Sequence, residues 1–488
     1  MTNAADEFCP TCGPAEIDSV LAKPYRRLVF GIFATVFLVA FEAIAVATAM
    51  PIVVRSLNGL SSYAWAFTAF FVTSLVATVA AGELADRRGP RLPLFGGIGI
   101  FIVGLVIAGS SQTMWELIVG RAVQGTGSGG VIVALYVVVG WAFPPHLRPR
   151  AFAVLSSGWV LPSIIGPVIA GSIAEHLTWR LVFLGLPPLV IPAALLMIGP
   201  IRRLQRPADD PDAEVTAGAR GSARVRLALG TAIGVALLQL AGQHLEWWSI
   251  GVAVAGLAVL GPTVRRLLPV GTFRLRRGLP TTVLMRGLFA GAFFGAEAFV
   301  PLMLVTHRGL SATLAGSSLT GAALGWATGS WWQGRPTTTI SRPRLVQLGA
   351  GLVTTAIVAV ALTVNPAVPV WVVAIAWLVG GLGMGLSMSS LSVLVLEQSP
   401  TREQGANSAA LQISDAMCSV IFVGVGGAIF AAASGATVNG ADATDPGGSV
   451  FVTIFAVMVG LAIFTTAIAI RVRPPTVDAP AAVSEQVA

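Results

Sequence analysis

The strongest constraint on this 488-residue chain is the recurrence of apolar runs of about 20 residues, each closed by a short polar turn. At 1.5 Å per residue, a helix of that length crosses a hydrocarbon core of roughly 30 Å. Such runs begin near residues 28, 63, 94, 115, 151 and 180, then near 227 and 247, then near 281, 312, 345, 369, 407 and 450. Backbone polar groups in lipid must be satisfied within their own segment, so each run reads as a helix. The expectation is an all-α integral membrane protein of fourteen spans, arranged as six, two and six.

Composition excludes the main alternatives. With 55% hydrophobic and 11% charged residues, the chain has too little polar surface to cover a soluble core, and 55 glycines suit closely packed membrane helices. The net charge of +8 does not point to nucleic acid, because the basic residues punctuate the apolar runs instead of gathering on one module. With the N-terminus inside, three of the 30 Lys and Arg (Arg55, Arg180 and Arg308) fall in outer loops and one, Arg121, within a span, which leaves 26 on the cytoplasmic side. That asymmetry predicts a multi-pass protein of the cytoplasmic membrane with both termini inside. Residues 1–26 carry Asp6, Glu7, Glu16 and Asp18 without an apolar core, and so read as a cytoplasmic tail and not a cleaved signal. Cys9 and Cys12 lack a second Cys/His pair, and with Cys418 they make no disulfide framework or complete metal motif. No cofactor is expected.

The expected organisation is a six-span bundle over 27–200, a cytoplasmic linker over 201–226, two extra spans over 227–268, a basic amphipathic segment over 269–280, a second six-span bundle over 281–473 and a tail over 474–488. The linker is charged and rich in Pro, Ala and Gly. The basic stretch "RRLLPVGTFRLRRG" (265–278) reads as an amphipathic helix on the inner membrane surface. The extra pair has no polar cluster beyond "QHLEWW" at its outer turn, which suggests a peripheral structural role. "GELADRRG" (82–89) and "GSWWQGR" (329–335) end corresponding spans of the two six-span units, a weak internal repeat.

Four motifs carry the chemistry. In "GELADRRGPR", Gly82 and Gly89 suit a tight two-span turn, Asp86 can accept hydrogen bonds from a helix N-terminus, and Arg87, Arg88 and Arg91 hold the turn at the inner face. In "IVGRAVQGTGSGG" (118–130), Arg121 lies about two turns inside the outer boundary. An intramembrane arginine either serves function or snorkels to the surface. In "GWVLPSIIGPVIAGS" (158–172), Gly166 and Pro167 permit a bend, and Gly158 and Gly171 permit tight helix contact. In "EAIAVATAMP", Glu42 is an acid in an oily run, nine residues before Pro51.

Together these motifs resemble those of the major facilitator superfamily, and in particular its fourteen-span drug:proton antiporters, over residues 26 to 473. The resemblance implies two six-helix bundles that alternate access to a midplane cavity. It also implies a loop at 82–91 latching the bundles on the cytoplasmic side, with Asp86 near the start of span eleven around Asn407. Arg121 would face the cavity, and 158–172 would mark an antiporter. That branch usually carries Asp where this chain has Glu42, and Arg where it has Asp415.

Glu42 lies roughly 20 Å from the inner end of its span and Arg121 roughly 10 Å from the outer end of its own, so an ion pair is within reach. Glu297 occupies the second-bundle span that corresponds to the first. Asp415 is either a second protonation point or an acid reaching the cytoplasmic surface. Burial disfavours a charged carboxylate and a neighbouring Arg favours it, so Glu42, Arg121, Glu297 and Asp415 are the candidate proton-coupling residues. The spans hold few Asn, Gln, Asp or Lys, whereas Trp65, Phe67, Phe70, Tyr136, Trp159, Trp326 and Trp377, with Gln124, suit a small hydrophobic or cationic ligand. The reading is a monomeric transporter driven by the proton gradient that exports such compounds. A carrier dedicated to one metabolite, lipid or siderophore is the alternative. No polar cluster suggests an enzyme.

Overall fold

The computed structural model describes residues 19–144, 147–204, 211–243, 247–335, 339–400, 404–437 and 447–473. Every regular element among them is helical. The first bundle contains α1 (Lys23–Ser56), α2 (Trp65–Arg88), α3 (Arg91–Ser110), α4 (Met114–Ala142), α5 (Arg148–Ile173), and α6 (Arg180–Leu184) with α7 (Pro187–Arg202). Then follow α8 (Pro211–Gln243) and α9 (Trp247–Leu267). The second bundle contains α10 (Leu279–Glu297) and α11 (Val300–Thr306), α12 (Ala312–Ser317) and α13 (Thr320–Gln333), α14 (Arg342–Leu362), α15 (Trp371–Gln398), α16 (Gln404–Thr437) and α17 (Gly448–Ile468).

Among the described residues, thirteen helical stretches are long and apolar enough to cross a membrane. The expected span near 312 is absent from these because it is divided into α12 and α13. The sequence there is "GSSLTG", poor in helix formers, and the hydroxyls of Ser317 and Ser318 bond back to the carbonyls of Leu314 and Ala315. Such back-bonding competes with the helix ladder and loosens it. With that broken span included, the order is six, two and six.

Within the first bundle, α4 packs on α2 and α3, and α1 packs on α5 and α7. Within the second, α15 packs on α13 and α14, and α10 packs on α16 and α17. The seam between them runs where α5 meets α12 and α13, α2 meets α16, and α1 meets α11 and α12. Three contacts close the seam at its Arg-poor end. Tyr63 donates to the carbonyl of Ala298 at 2.6 Å. The Glu175 carboxylate accepts from the Thr313 backbone N–H at 3.0 Å and from its hydroxyl at 2.6 Å. Gly171 lies so near Thr313 that a Cβ there would stand 2.5 Å from its Cα.

Several expectations need correction. The segment read as a linker over 201–226 is helical from Pro211 onward, because its Ala-rich composition favours a helix that joins the next span. The basic segment over 269–280 is not an amphipathic helix. It is a turn in which Gly271, Leu275 and Gly278 take positive φ around a single 3-10 turn at Thr272–Arg274, and Pro269 precedes it. The extra pair is less peripheral than expected: α9 packs on α8, but α8 packs on both α2 and α16, one helix from each bundle. Arg286, counted among the inner-loop cations, lies within α10. α5 continues through Pro162 and Pro167, and the departure from α geometry falls beyond them, in a π-helical turn at 174–178.

Candidate functional site

The glycine run of α4 makes the centre of the first bundle. A Cβ at Gly125 would stand 2.1 Å from the Phe70 carbonyl oxygen, and one at Gly127 2.4 Å from the Phe101 nitrogen. Only glycine permits the backbones of α2 and α3 to come this close to α4. The approach lets Arg121 on α4 reach the backbone of α2. Its Nε donates to the Ala66 carbonyl at 3.0 Å, and its guanidinium lies over the Phe70 ring, 4.4 Å from the centroid.

The same guanidinium forms an ion pair with Glu42 of α1, and its Nη1 also donates to Gln124 Oε1 at 2.9 Å. Glu42, Arg121 and Gln124 are all buried. The other carboxylate oxygen of Glu42, Oε2, and the amide nitrogen of Gln124 have no hydrogen-bond partner. Arg121 keeps a carbonyl, an amide oxygen and an aromatic face even without the carboxylate. Glu42 has only Arg121. The arrangement therefore tolerates a neutral Glu42 better than a missing Arg121.

A second ion pair was not foreseen. Arg286 Nε donates to Asp415 Oδ2 at 2.6 Å, and its Nη1 donates to the Met388 carbonyl at 3.1 Å and to Ser392 Oγ at 3.4 Å. Asp415 is thus part of a charged pair, with the cation supplied by α10 and the anion by α16. The pair is less enclosed than the first, with side chains 15% and 20% exposed against 3% and 0% for Arg121 and Glu42. Tyr136, on α4 of the opposite bundle, lies within electrostatic reach of Arg286, is 51% exposed and packs on Phe152 with centroids 5.5 Å apart. The available signal was the arginine in "TTVLMRGLFAG", flanked by apolar residues but only eight positions after "RRG".

Glu297, at the end of α10, sits beside the buried indole of Trp377. Trp377 stacks on Phe293 at 5.2 Å, and Phe293 and Phe294 pack on Trp326 at 6.3 and 6.2 Å. Three helices, α10, α13 and α15, thus build an aromatic cluster that meets the carboxylate through Trp377. Among the described residues Glu297 hydrogen-bonds to neither ion pair. Trp65 lies partly buried at the start of α2, and Trp159 is 41% exposed on α5, apart from either pair.

The motif at 82–91 divides by residue. Gly89 takes φ +78°, a conformation that favours glycine, so its place in the turn is required. Gly82 is not, since a Cβ there would meet nothing nearer than 3.7 Å. Arg87 pairs with Glu83 one turn back. Arg91 reaches the end of α7 and donates to the carbonyls of Ile201, at 3.0 Å, Arg202 and Leu204. The Asp86 side chain lies outside the described residues, as do 401–403, so the latch around Asn407 has no geometry here; Asn407 itself donates to Ser399 at 3.0 Å. In the helix motif, a Cβ at Gly158 would press on Val36 of α1 at 2.9 Å, whereas Gly166 has more room, with Ile44 at 3.3 Å. Cys9 and Cys12 also lie outside the described residues, among which no three His, Cys, Asp or Glu gather as metal ligands.

The profile of the Major Facilitator Superfamily matches residues 32–422, most of the chain. The chain belongs to the Major Facilitator Superfamily. Among its relatives in that superfamily, the Multidrug transporter protein MdtP of Bacillus subtilis is 29% identical over 84% of this chain and 76% of its own length. The Multidrug efflux pump SdrM of Staphylococcus aureus is 25% identical over 76% of this chain and 82% of its own. Other relatives are longer: the matches take in 31% of an uncharacterised transporter of Schizosaccharomyces pombe and 59% of one of Mycobacterium tuberculosis. The fold is shared with a solved bacterial homologue of the lysosomal transporter Spinster, at TM-score 0.61 and 14% identity over 92% of this chain and 97% of that one. It is also shared with a peptide transporter of the POT family, at TM-score 0.63 and 17% identity over 93% and 99%. As a superfamily member with these apolar helices, the protein is a multi-pass membrane protein.

Proposed function

We propose that the protein is a proton-coupled exporter of hydrophobic and cationic compounds, of the fourteen-span antiporter type. The observation that carries this reading is the buried Glu42–Arg121 pair, in which one carboxylate oxygen has no partner while the arginine is independently held. A proton on Glu42 releases the ion pair without stranding Arg121, so loading changes the coupling between α1 and α4 at small cost to either helix. Proton uptake from outside and release inside, alternating with substrate, is the cycle of an antiporter.

The Arg-rich end is assigned to the cytoplasm by the positive-inside rule, which places both termini there. The contacts Tyr63–Ala298 and Glu175–Thr313 then close the outer side. The aromatic cluster around Glu297 supplies apolar faces beside an acid, the chemistry that suits a lipophilic cation. Two relatives named for multidrug transport support the substrate class.

The test is dye efflux in everted membrane vesicles under an imposed proton gradient. Wild-type protein exports the dye with gradient dependence, and Glu42→Gln loses that dependence. Gradient-driven export by Glu42→Gln at the wild-type rate would overturn the coupling role.

A further inference from the structure

We infer that Asp415 forms an inner recognition subsite for organic cations, at which the substrate competes with Arg286 for the carboxylate. The inference rests on the proposed export of cations but adds a site distinct from Glu42 and Glu297.

Depth comes first. Arg286 is seven residues into α10, about 10 Å from its Arg-rich end, whereas Glu42 lies nineteen residues into α1, about 29 Å from that end. The two ion pairs are therefore staggered along the transport direction. The inner pair is the partly exposed one.

The bonding is asymmetric in a way that suits exchange. Arg286 has two further acceptors on α15, Met388 O and Ser392 Oγ, and stays anchored if Asp415 turns to another cation. Asp415 has only the single contact from Nε; among the described residues Oδ1 accepts no hydrogen bond. A fork-to-fork guanidinium contact would occupy both oxygens, but this one leaves Oδ1 for a ligand ammonium or amidinium. Tyr136, exposed on α4 of the other bundle, backed by Phe152 and within electrostatic reach of Arg286, adds an aromatic ring to the neighbourhood of the pair.

The experiment measures binding of ethidium, and of a neutral hydrophobic dye, to the purified full chain in detergent, together with export of both by reconstituted protein. Asp415→Asn should weaken ethidium binding about tenfold or more, the loss of one partly desolvated charged contact, and leave the neutral dye unchanged. Asp415→Glu should retain ethidium. Arg286→Gln removes the competitor and should tighten ethidium binding. A purely structural pair predicts that Asp415→Asn and Arg286→Gln shift both dyes alike and in the same direction, which would overturn the inference. So would wild-type ethidium affinity in Asp415→Asn. If Arg286→Gln does not fold, the contrast of the Asn and Glu variants across the two dyes decides. Failure of wild-type protein to export either dye would instead sink the proposed function, and is read separately from the binding.

Discussion

Tyr63 and Ala298 join the two bundles through one hydrogen bond of 2.6 Å, from a buried phenol to a backbone carbonyl 235 positions away. The ring also packs on Phe67 and Phe299, at 5.2 and 5.6 Å. Replacing Tyr63 by Phe keeps the packing and removes only the hydroxyl. An unpaired buried carbonyl costs about 1–3 kcal/mol, so the outward-closed state should lose roughly five- to a hundredfold in population. Accessibility of an engineered cysteine lining the cavity to an impermeant reagent added outside should rise accordingly.

The glycines of the bundle seam and of the inner turn should respond differently to the same substitution. Gly171→Ala places a methyl group against the Thr313 backbone and should cost about 1–3 kcal/mol of the closed state, read as slowed transport and a lower Tm. Gly82→Ala meets only ordinary contact and should leave transport intact, with a gain of up to about 1 kcal/mol in helix propensity.

Arg91 ties the start of α3 to the end of α7 through the carbonyls of Ile201, Arg202 and Leu204, in and just beyond the last turn. Arg91→Lys keeps the charge but not the fork, so it should lower Tm nearly as much as Arg91→Gln. Hydrogen exchange should locate the loosening at 199–204. Equal stability of the Lys variant and the wild type would show that charge alone holds the turn.

Glu42→Asp tests reach without removing the acid. Arg121 is fixed by Ala66 and Gln124 and cannot follow a carboxylate retracted by one methylene. Gradient dependence should survive, with a rate several-fold below wild type, whereas Glu42→Gln should abolish the dependence. Efflux rates against imposed gradient, measured for the three proteins side by side, separate these outcomes.

The spans were legible because lipid makes hydropathy and length decisive, and the Glu42–Arg121 pair was legible because each residue is anomalous in its own helix. The partnership of Arg286 with Asp415 was not. Its members lie 129 positions apart, and Arg286 follows a basic stretch closely enough to be absorbed into it. The turn at 269–280 misled because charge and apolar residues alternate there as on an amphipathic helix, while Pro269 and the glycines that prevent one are local backbone facts. The break between α12 and α13 hid in residues that are apolar enough to span but poor at holding a helix.

The position of α8 carries a consequence for motion. It rests on α2 and α16 together, and the Gln239 side chain fills the space that a Cβ on Gly424 of α16 would need. In the proposed alternating cycle, a beam laid against two rocking bodies cannot travel with both. Such a cycle would slide one of those two surfaces, and the friction of that surface would set a limit on how fast the bundles alternate.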